Sequence, residues 1–206
     1  MMRSARLLLA LLVVPLCSAV AVGQANEVAV TVGGDFVSNS NNSVSKTWTI
    51  EGSFAHRLFG VPLIGLYGEL PVAAAFHSKP QLNSACAAVF PPPAGCITQP
   101  FNYSSLFVTP GLKLKIGGPG FAPYAVVGGG IGRFSPTATG TTGSTQPSST
   151  TTGVISYGAG ADVTLLPFIG LRGEVRDYNS GYPAFGFGGT GRQHNLFVTV
   201  GAVLRF

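Results

Sequence analysis

Three charged residues at alternate positions, Arg172, Glu174 and Arg176, form the most prominent group in this chain that could do chemistry. A carboxylate between two guanidinium groups could relay protons, line a path for ions, or join a network of ion pairs. In an extended strand, alternate residues point to the same face, so the three side chains are expected to lie together. Because an unpaired buried charge is very costly, we interpret them as an ion-pair network.

Charged residues of both signs recur on the polar face of other predicted strands, which extends the network beyond one strand. Arg57 and Arg133 are placed on this polar face as well. The predicted members of the ion-pair network are Glu51, Glu69, Lys113, Asp162, Arg172, Glu174 and Arg176.

Catalytic and cofactor motifs are weak by comparison. A lipid hydrolase would need a serine, a histidine and a carboxylate that converge; His77 and Ser78 are adjacent, but no acidic residue lies in the loop segment beside them. The segment 186–191 matches the dinucleotide fingerprint by letter, yet it lacks the preceding strand and following helix that would build a phosphate cradle. The sequence therefore predicts no enzymatic activity and no cofactor.

The composition limits the class of protein that can position such a network. Charged residues make up 9% of the 206-residue chain, whereas about 25% is usual in soluble domains. After the N-terminus, no apolar run approaches the roughly 18 residues of a membrane helix. A sheet-rich protein with one face in lipid satisfies both limits.

Residues 1–25 have the pattern of a secretory signal peptide, which leaves residues 26–206 as the mature domain. Arg3 and Arg6 precede an apolar core over 7–16, and small residues follow, with cleavage expected after Ala21 or Ala25. Loss of the two arginines leaves ten basic residues against seven acidic ones, a net charge of +3. Nucleic-acid binding would need a focused basic face, so no nucleic-acid partner is expected.

Period-two alternation dominates the mature chain and predicts eight strands. The last strand shows it most clearly, because Phe206, Leu204 and Val200 alternate with Arg205, Val203 and Thr199. The glycine-rich strand around 126–132 has no clear facing. The predicted strands are 27–37, 46–58, 63–77, 104–116, 122–135, 152–165, 168–178 and 194–206.

The connections between these strands alternate between short and long. Three are tight, at 59–62, 117–121 and 166–167, and four are long and polar, namely 38–45, 79–103, 136–151 and 179–193. In an up-and-down sheet, alternate connections emerge at the same end, so the short and long connections lie at opposite ends. Membrane barrels show this asymmetry, with short periplasmic turns and longer extracellular loops.

Two cysteines, Cys86 and Cys96, lie in the connection 79–103, and export favours a disulfide between them. The rival interpretation, a metal site, lacks two further ligands nearby, so no metal is expected. Because this connection is the longest and the one that is cross-linked, it is the expected contact surface for a host or surface ligand.

A soluble barrel that binds a ligand in its interior would show the same alternation of polar and apolar residues. Its apolar face, however, would point inward and its polar face outward. In a soluble barrel the polar face would be the surface in contact with water. The polar face of this chain carries few charges, of both signs, which is unusual for the surface of a soluble protein. Paired charges suit a narrow lumen instead. Aromatic residues are accordingly expected on the lipid side, as an interfacial girdle or as scattered contacts: Trp48, Tyr124, Tyr157 and Phe206.

The mature chain resembles the small eight-stranded outer-membrane barrels, the opacity-protein and OmpA-type transmembrane domains. Arg172-Gly173-Glu174-Val175-Arg176 resembles their Arg-x-Glu-Tyr-Arg signature, with Val175 in place of tyrosine, and Pro123-Tyr124 and the terminal Phe206 also fit. The resemblance implies a bacterial outer-membrane location, in contact with lipid and lipopolysaccharide. It also implies recognition by the barrel assembly machinery and periplasmic chaperones, through the outward residues of the last strand: Val200, Ala202, Leu204 and Phe206.

The sequence therefore predicts an all-β protein, an eight-stranded antiparallel up-and-down transmembrane β-barrel with short periplasmic turns and long extracellular loops. Its predicted role is structural or surface display, in envelope integrity or in adhesion through the loops. The first alternative is a narrow channel for ions or small solutes; charges that meet across the axis, among them Glu69 and Arg176, would close it. The second alternative is the soluble secreted ligand-binding barrel.

Overall fold

Nine strands run through the part of the chain that the computed structural model describes, which comprises residues 25–39, 44–78, 102–118, 120–137, 148–185 and 191–206. Their alternation of polar and apolar residues is the pattern of a sheet whose two faces meet different surroundings. The strands are β1 (Asn26–Asn39), β2 (Val44–Val61), β3 (Ile64–Ser78), β4 (Asn102–Val108), β5 (Gly111–Ile116), β6 (Phe121–Thr137), β7 (Thr150–Leu166), β8 (Ile169–Gly181) and β9 (Arg192–Arg205).

Consecutive strands pair antiparallel except β4 and β5, which do not pair with each other, and β9 pairs with β1 to close the sheet. The closing register runs from Glu27 opposite Arg205 to Asn39 opposite Gln193. Between β3 and β6, the strands β4 and β5 occupy one position in succession, since both pair with β3 and with β6. The protein is therefore a closed eight-stranded up-and-down barrel, which confirms the predicted fold.

The predicted fourth strand, 104–116, differs from the structure because it is broken at Thr109 and Pro110. Proline has no N–H to donate to a sheet ladder and is found at such interruptions. The flanking backbone is held instead by the Thr109 N–H, which donates to the Pro71 carbonyl at 3.4 Å, and by the Gly129 N–H, which donates to the Pro110 carbonyl at 3.1 Å. The Thr109 side chain points inward and accepts a hydrogen bond from the Ser156 hydroxyl at 3.0 Å.

The outer wall of the barrel is apolar and the buried charged side chains lie on the inner wall, the reverse of a soluble barrel. On β9, Val198, Val200 and Leu204 lie outward and exposed, whereas the alternate residues Phe197 and Val203 are fully buried. On the other strands, too, the outward positions carry exposed apolar side chains. Buried charged residues lie at inward positions. This facing contradicts the soluble ligand-binding alternative and is that of a transmembrane barrel.

Two residues of β6 face opposite to their predicted sides. Tyr124 points into the lumen and is 4% exposed, so it belongs to the interior rather than to a lipid-facing girdle. Arg133 lies outward and exposed, next to the inward Phe134. The glycine run between them has no side chains that could show alternation. The sequence of this strand therefore does not indicate which residues point into the lumen and which point outward.

The two ends of the barrel differ in their connections. At the short-turn end, β2 and β3 are joined by Pro62 and Leu63, β5 and β6 by residues 117–120, and β7 and β8 by Pro167 and Phe168. The other connections emerge at the long-loop end. One of them, between β1 and β2, spans only 40–43 rather than the predicted 38–45, because pairing continues to Ser38 opposite Val44.

Among the residues that the structure describes, no helix is long and apolar enough to cross a membrane.

Several predicted features lie outside the described residues. These include residues 1–24 of the predicted signal peptide, Cys86 and Cys96 with most of the connection 79–103, and the glycines of 186–190. The signal peptide and the disulfide stay predictions.

Candidate functional site in the barrel lumen

The half of the lumen nearer the short turns is filled by charged side chains, which we call the ionic layer: Glu27, Glu69, Lys113, Lys115, Asp162, Arg172 and Arg205. They come from β1, β3, β5, β7, β8 and β9 and point inward because they alternate with lipid-facing apolar residues. Lys113 and Asp162 are fully buried. Such charges are tolerated away from water only when they are paired.

Arg172 is the centre of one part of this layer. Its guanidinium donates to Asp162 from Nε at 2.8 Å and from Nη2 at 3.0 Å, and Nη2 also donates to Glu27 at 3.0 Å. Lys115 binds the same two carboxylates, Asp162 at 2.6 Å and Glu27 at shorter range. Each carboxylate is thus shared between cations from different strands, so that the strands are cross-linked through the lumen.

A second part of the network crosses the barrel. Arg176 on β8 donates to Glu69 at 2.7 Å, although these strands lie on opposite sides of the eight-stranded ring. Glu69 also pairs with Lys113 at 2.8 Å, and Arg176 also binds Glu174. Glu51 approaches Arg176 at 3.8 Å. Because these contacts span the full diameter, they occupy the axis of the barrel.

Two tyrosines connect the charged side chains to the rest of the interior. The Tyr124 hydroxyl donates to Glu174 at 2.6 Å, and the Tyr178 hydroxyl donates to Glu51 at 3.0 Å. The ring of Tyr124 lies 4.8 Å from Lys113 Nζ and 5.0 Å from the Arg172 guanidinium carbon, which are cation–π distances. These bonds satisfy carboxylate oxygens that the arginines leave free.

The structure places all seven of the predicted network residues in the lumen and brings them together. It adds three residues that the prediction omitted, namely Glu27, Lys115 and Arg205. The alternation could have identified them, since Lys115 follows Lys113 by two positions and Arg205 shares a face with Val203. Arg57 also faces inward, opposite Tyr67 on β3.

The half of the lumen nearer the long loops is filled by aromatic rings, which we call the aromatic layer: Tyr103, Phe107, Phe134, Tyr178, Phe185 and Phe197. Phe107 is stacked on Tyr178 with ring centroids 4.9 Å apart, and it meets Phe134 and Phe197 edge to face. Small residues of β3, Ala73 and Ala75, leave room for these rings. These rings pack against one another within the lumen at this level.

Phe185 reaches the aromatic layer from the connection after β8. Its N–H donates to the Thr150 hydroxyl at 3.1 Å, and its carbonyl accepts from the Ser148 N–H at 3.0 Å. Phe185 has a φ of 49°, in the left-handed region that non-glycine residues rarely adopt. The connection therefore turns sharply, and its Phe185 ring lies 5.1 Å from Tyr103 at the mouth of the barrel.

Asp35, an inward residue of β1, contrasts with the paired carboxylates. It is fully buried, and neither of its side-chain oxygens has a hydrogen-bond partner among the described residues. It lies beside Phe197 on β9 in the strand register. An unpartnered buried carboxylate is a cost to the folded state.

A polar group also lies on the outer wall near the long-loop end. Asp177 accepts a hydrogen bond from the Tyr157 hydroxyl at 2.7 Å and lies 2.6 Å from His194 Nδ1. Ser38 is directly opposite His194 in the strand register. These are the residue types of a hydrolase, but the structure records no hydrogen bond between Ser38 and His194. The predicted pair His77 and Ser78 lies at the end of β3.

The outward residues of the last strand lie where the alternation predicts. Val200, Leu204 and Phe206 are exposed at 59%, 47% and 61%, and Ala202 shares their face. The Phe206 backbone exchanges two hydrogen bonds with Asn26 at the closing seam. In the described part of the chain, no group of three His, Cys, Asp or Glu residues could hold a metal ion.

Comparison with known proteins identifies the fold but not a family. No family model matches the sequence, and no curated protein matches it. The solved structures with a similar fold include the following three. Neisserial surface protein A shares 11% identity, with a TM-score of 0.56 over 88% of this chain and 97% of that one. Ail, the attachment invasion locus protein of Yersinia pestis, shares 13% identity, with a TM-score of 0.51 over 88% and 99%.

The third structure is the outer-membrane enzyme PagL, which shares 14% identity, with a TM-score of 0.51 over 88% of this chain and all of that one. The three proteins include two surface proteins and an enzyme on one architecture. The likeness therefore shows that this chain has the fold of the small eight-stranded outer-membrane barrels, and a role has to be argued from its own residues.

Proposed function

We propose that this protein is an integral outer-membrane barrel of a diderm bacterium that holds its long loops on a rigid, closed support and has no enzymatic activity. The observation that supports this most directly is the filled lumen. Arg176 meets Glu69 across the axis, and the aromatic layer packs above them. Side chains packed across the lumen in both layers support a rigid, closed barrel rather than a channel.

The distribution of charge on the outer wall supports an orientation in the membrane. Among the described residues, the outward Asp, Glu, Lys and Arg side chains all lie near the long-loop end, namely Lys46, Arg133, Asp177 and Arg192. The surplus of cations suits the phosphates of lipopolysaccharide in the outer leaflet. We therefore place the long loops outside the cell and the short turns in the periplasm.

Biogenesis follows from the same proposal. Residues 1–25 would direct export as a cleaved signal peptide. The outward residues at the end of the chain, Val200, Ala202 and Leu204 on β9 and Phe206 directly after it, would be recognised by the barrel assembly machinery. Periplasmic chaperones would protect the unfolded chain. Once inserted, the connection 79–103, braced by a Cys86–Cys96 disulfide, would contact a host or surface ligand or support envelope integrity.

The outer-wall polar group supports a structural role better than a catalytic one. Asp177 and Asn179 both approach His194, with Asn179 Nδ2 at 3.4 Å from Nε2. In a triad that nitrogen would have to receive the serine proton. Here the His194 ring is held by the strand that carries its partners, and the cluster satisfies polar groups at the edge of the apolar wall.

Surface labelling of intact cells tests the proposal. One variant carries an epitope inserted in 79–101, and the matched control carries the same epitope in the short turn 117–120. We expect antibody labelling of intact cells for the first variant, and labelling of the second only after the outer membrane is opened. Both variants should require detergent for extraction and should migrate faster on gels before boiling than after it. Labelling of the short turn on intact cells, or extraction without detergent, would contradict the proposal.

A further inference from the structure

The short-turn end of the lumen opens into a vestibule of about 500 Å³. Its floor is formed by Glu27, Lys115 and Arg205, and its wall includes Arg57 and Tyr67. Its rim consists of the apolar residues of the turns 61–64 and 165–167. This volume lies in the range of sites that hold small molecules.

The vestibule has more cations than anions. Arg57, Lys115 and Arg205 line it, against the single carboxylate of Glu27. Among the described residues, no carboxylate forms a salt bridge with Arg57. The Arg205 guanidinium is engaged instead: Nη1 donates to Thr164 at 3.1 Å, Nη2 donates to Asp162 at 3.3 Å, and the buried Nε lies 3.7 Å from Glu27. Arg57 is therefore the cation of this cavity whose charge no carboxylate of the described residues balances.

The carboxylates of the ionic layer cannot neutralise this surplus, because each already serves several cations. Asp162 binds Lys115, Arg172 and Arg205. Glu27 binds Lys113, Lys115 and Arg172, and Glu69 binds Lys113 and Arg176. Positive charge inside a narrow cavity with apolar walls focuses its field towards the opening and attracts anions.

We propose that this vestibule is a binding site for a phosphate group that enters from the short-turn end. Arginine presents its donors as a planar fork that matches phosphate oxygens, and it is the residue preferred for such contacts. Arg57 supplies this fork, and Lys115 supplies a point charge on the floor. The phosphate comes either from a free anion or from a lipid headgroup whose acyl chains rest on the apolar rim.

Arg57→Gln is the informative substitution, since Arg57 lines the vestibule but takes no part in the salt bridges of the ionic layer. The matched control is Lys46→Gln, which removes an outward cation at the opposite end of the barrel. Binding to detergent-solubilised protein is measured by titration calorimetry with inorganic phosphate, and separately with short-chain phosphatidic acid below its micellar concentration. Chloride at equal ionic strength serves as the reference, and the heat-dependent gel shift verifies folding.

The proposal predicts that Arg57→Gln weakens binding about tenfold or more, as expected for loss of a charged hydrogen-bonding group, and that Lys46→Gln leaves it unchanged. Binding of inorganic phosphate with this pattern identifies a free anion as a sufficient ligand. The same pattern with phosphatidic acid alone identifies a lipid headgroup. If Arg57→Gln fails to fold, Arg57→Lys replaces it and should weaken binding by a smaller factor. Absence of binding by both probes, or equal binding by the Arg57 and Lys46 variants, would overturn the proposal.

Discussion

The two halves of the lumen are filled by opposite kinds of chemistry. In the ionic layer, fully buried Lys113 and Asp162 exist only because partners on other strands compensate their charges. In the aromatic layer, Phe107 packs between Tyr178, Phe134 and Phe197 by stacking and edge-to-face contact. One half is held by specific pairs and the other by volume and shape.

This difference determines how each half should respond to change. Removal of a charge from the ionic layer leaves its partners buried and uncompensated, so the cost depends on how many partners remain. Removal of a ring leaves a void whose cost depends on how far its neighbours can move. Both halves close the barrel, but only the ionic half carries surplus charge to its opening, where Arg57 lies.

The largest effect is expected for Asp162→Asn. The substitution removes a carboxylate that binds Lys115, Arg172 and Arg205, and loss of one partner from a buried charge network destabilises by about 3–5 kcal/mol. Urea unfolding in lipid vesicles, followed by the fluorescence of Trp48 and by the gel shift, measures it. Asp177→Asn on the outer wall is the control and should cost much less. Equal costs for the two variants would show that the ionic layer is not a network.

A smaller effect is expected in the aromatic layer. Phe107→Ala should lower the free energy of unfolding by about 3 kcal/mol, the lower end for loss of a buried phenylalanine. Phe107→Leu retains most of the volume and should cost less than half as much. The same unfolding assay compares the two variants. A loss of stability that is equal for both would indicate that the stacking on Tyr178, rather than the filled volume, stabilises this half.

The effect of Asp35→Asn should have the opposite sign. Asp35 is fully buried and its oxygens have no hydrogen-bond partner among the described residues, so loss of its charge should stabilise the barrel by about 1–2 kcal/mol. The unfolding midpoint in urea should rise accordingly. A fall in the midpoint would mean that the carboxylate makes a favourable interaction in the folded protein.

The smallest effect is expected for Tyr157→Phe on the outer wall. It removes the hydroxyl that donates to Asp177 at 2.7 Å, while His194 continues to bind the same carboxylate. The expected loss is about 1 kcal/mol, typical of one hydrogen bond. A loss of stability as large as that of Asp162→Asn would show that the outer-wall polar group stabilises the barrel as much as the ionic layer does, which would contradict this prediction.

The fold could be predicted because alternation and connection lengths are local properties of the sequence. The run from Asn195 to Phe206 shows which residues face outward without any knowledge of the neighbouring strands. The break at Thr109 and Pro110 could be suspected from the proline, but its position in one wall of the barrel depends on pairing with both β3 and β6.

The site was predictable as a set of residues but not as a set of pairs. Alternation places Glu69 and Arg176 on the inner wall, yet their contact across the axis depends on the closure of the whole ring. The aromatic layer was not anticipated, because Phe107, Phe134 and Phe197 are apolar residues on the face that the pattern marks as polar. The inward turn of Tyr124 was hidden by the glycines beside it.

Conductance of the purified protein in planar lipid bilayers tests the closed lumen most directly. Because Arg176 meets Glu69 across the axis and the aromatic layer packs above them, we expect a baseline without discrete current steps, both for the wild type and for Arg57→Gln. Reproducible single-channel steps from wild-type protein, at a conductance that scales with salt concentration, would contradict it.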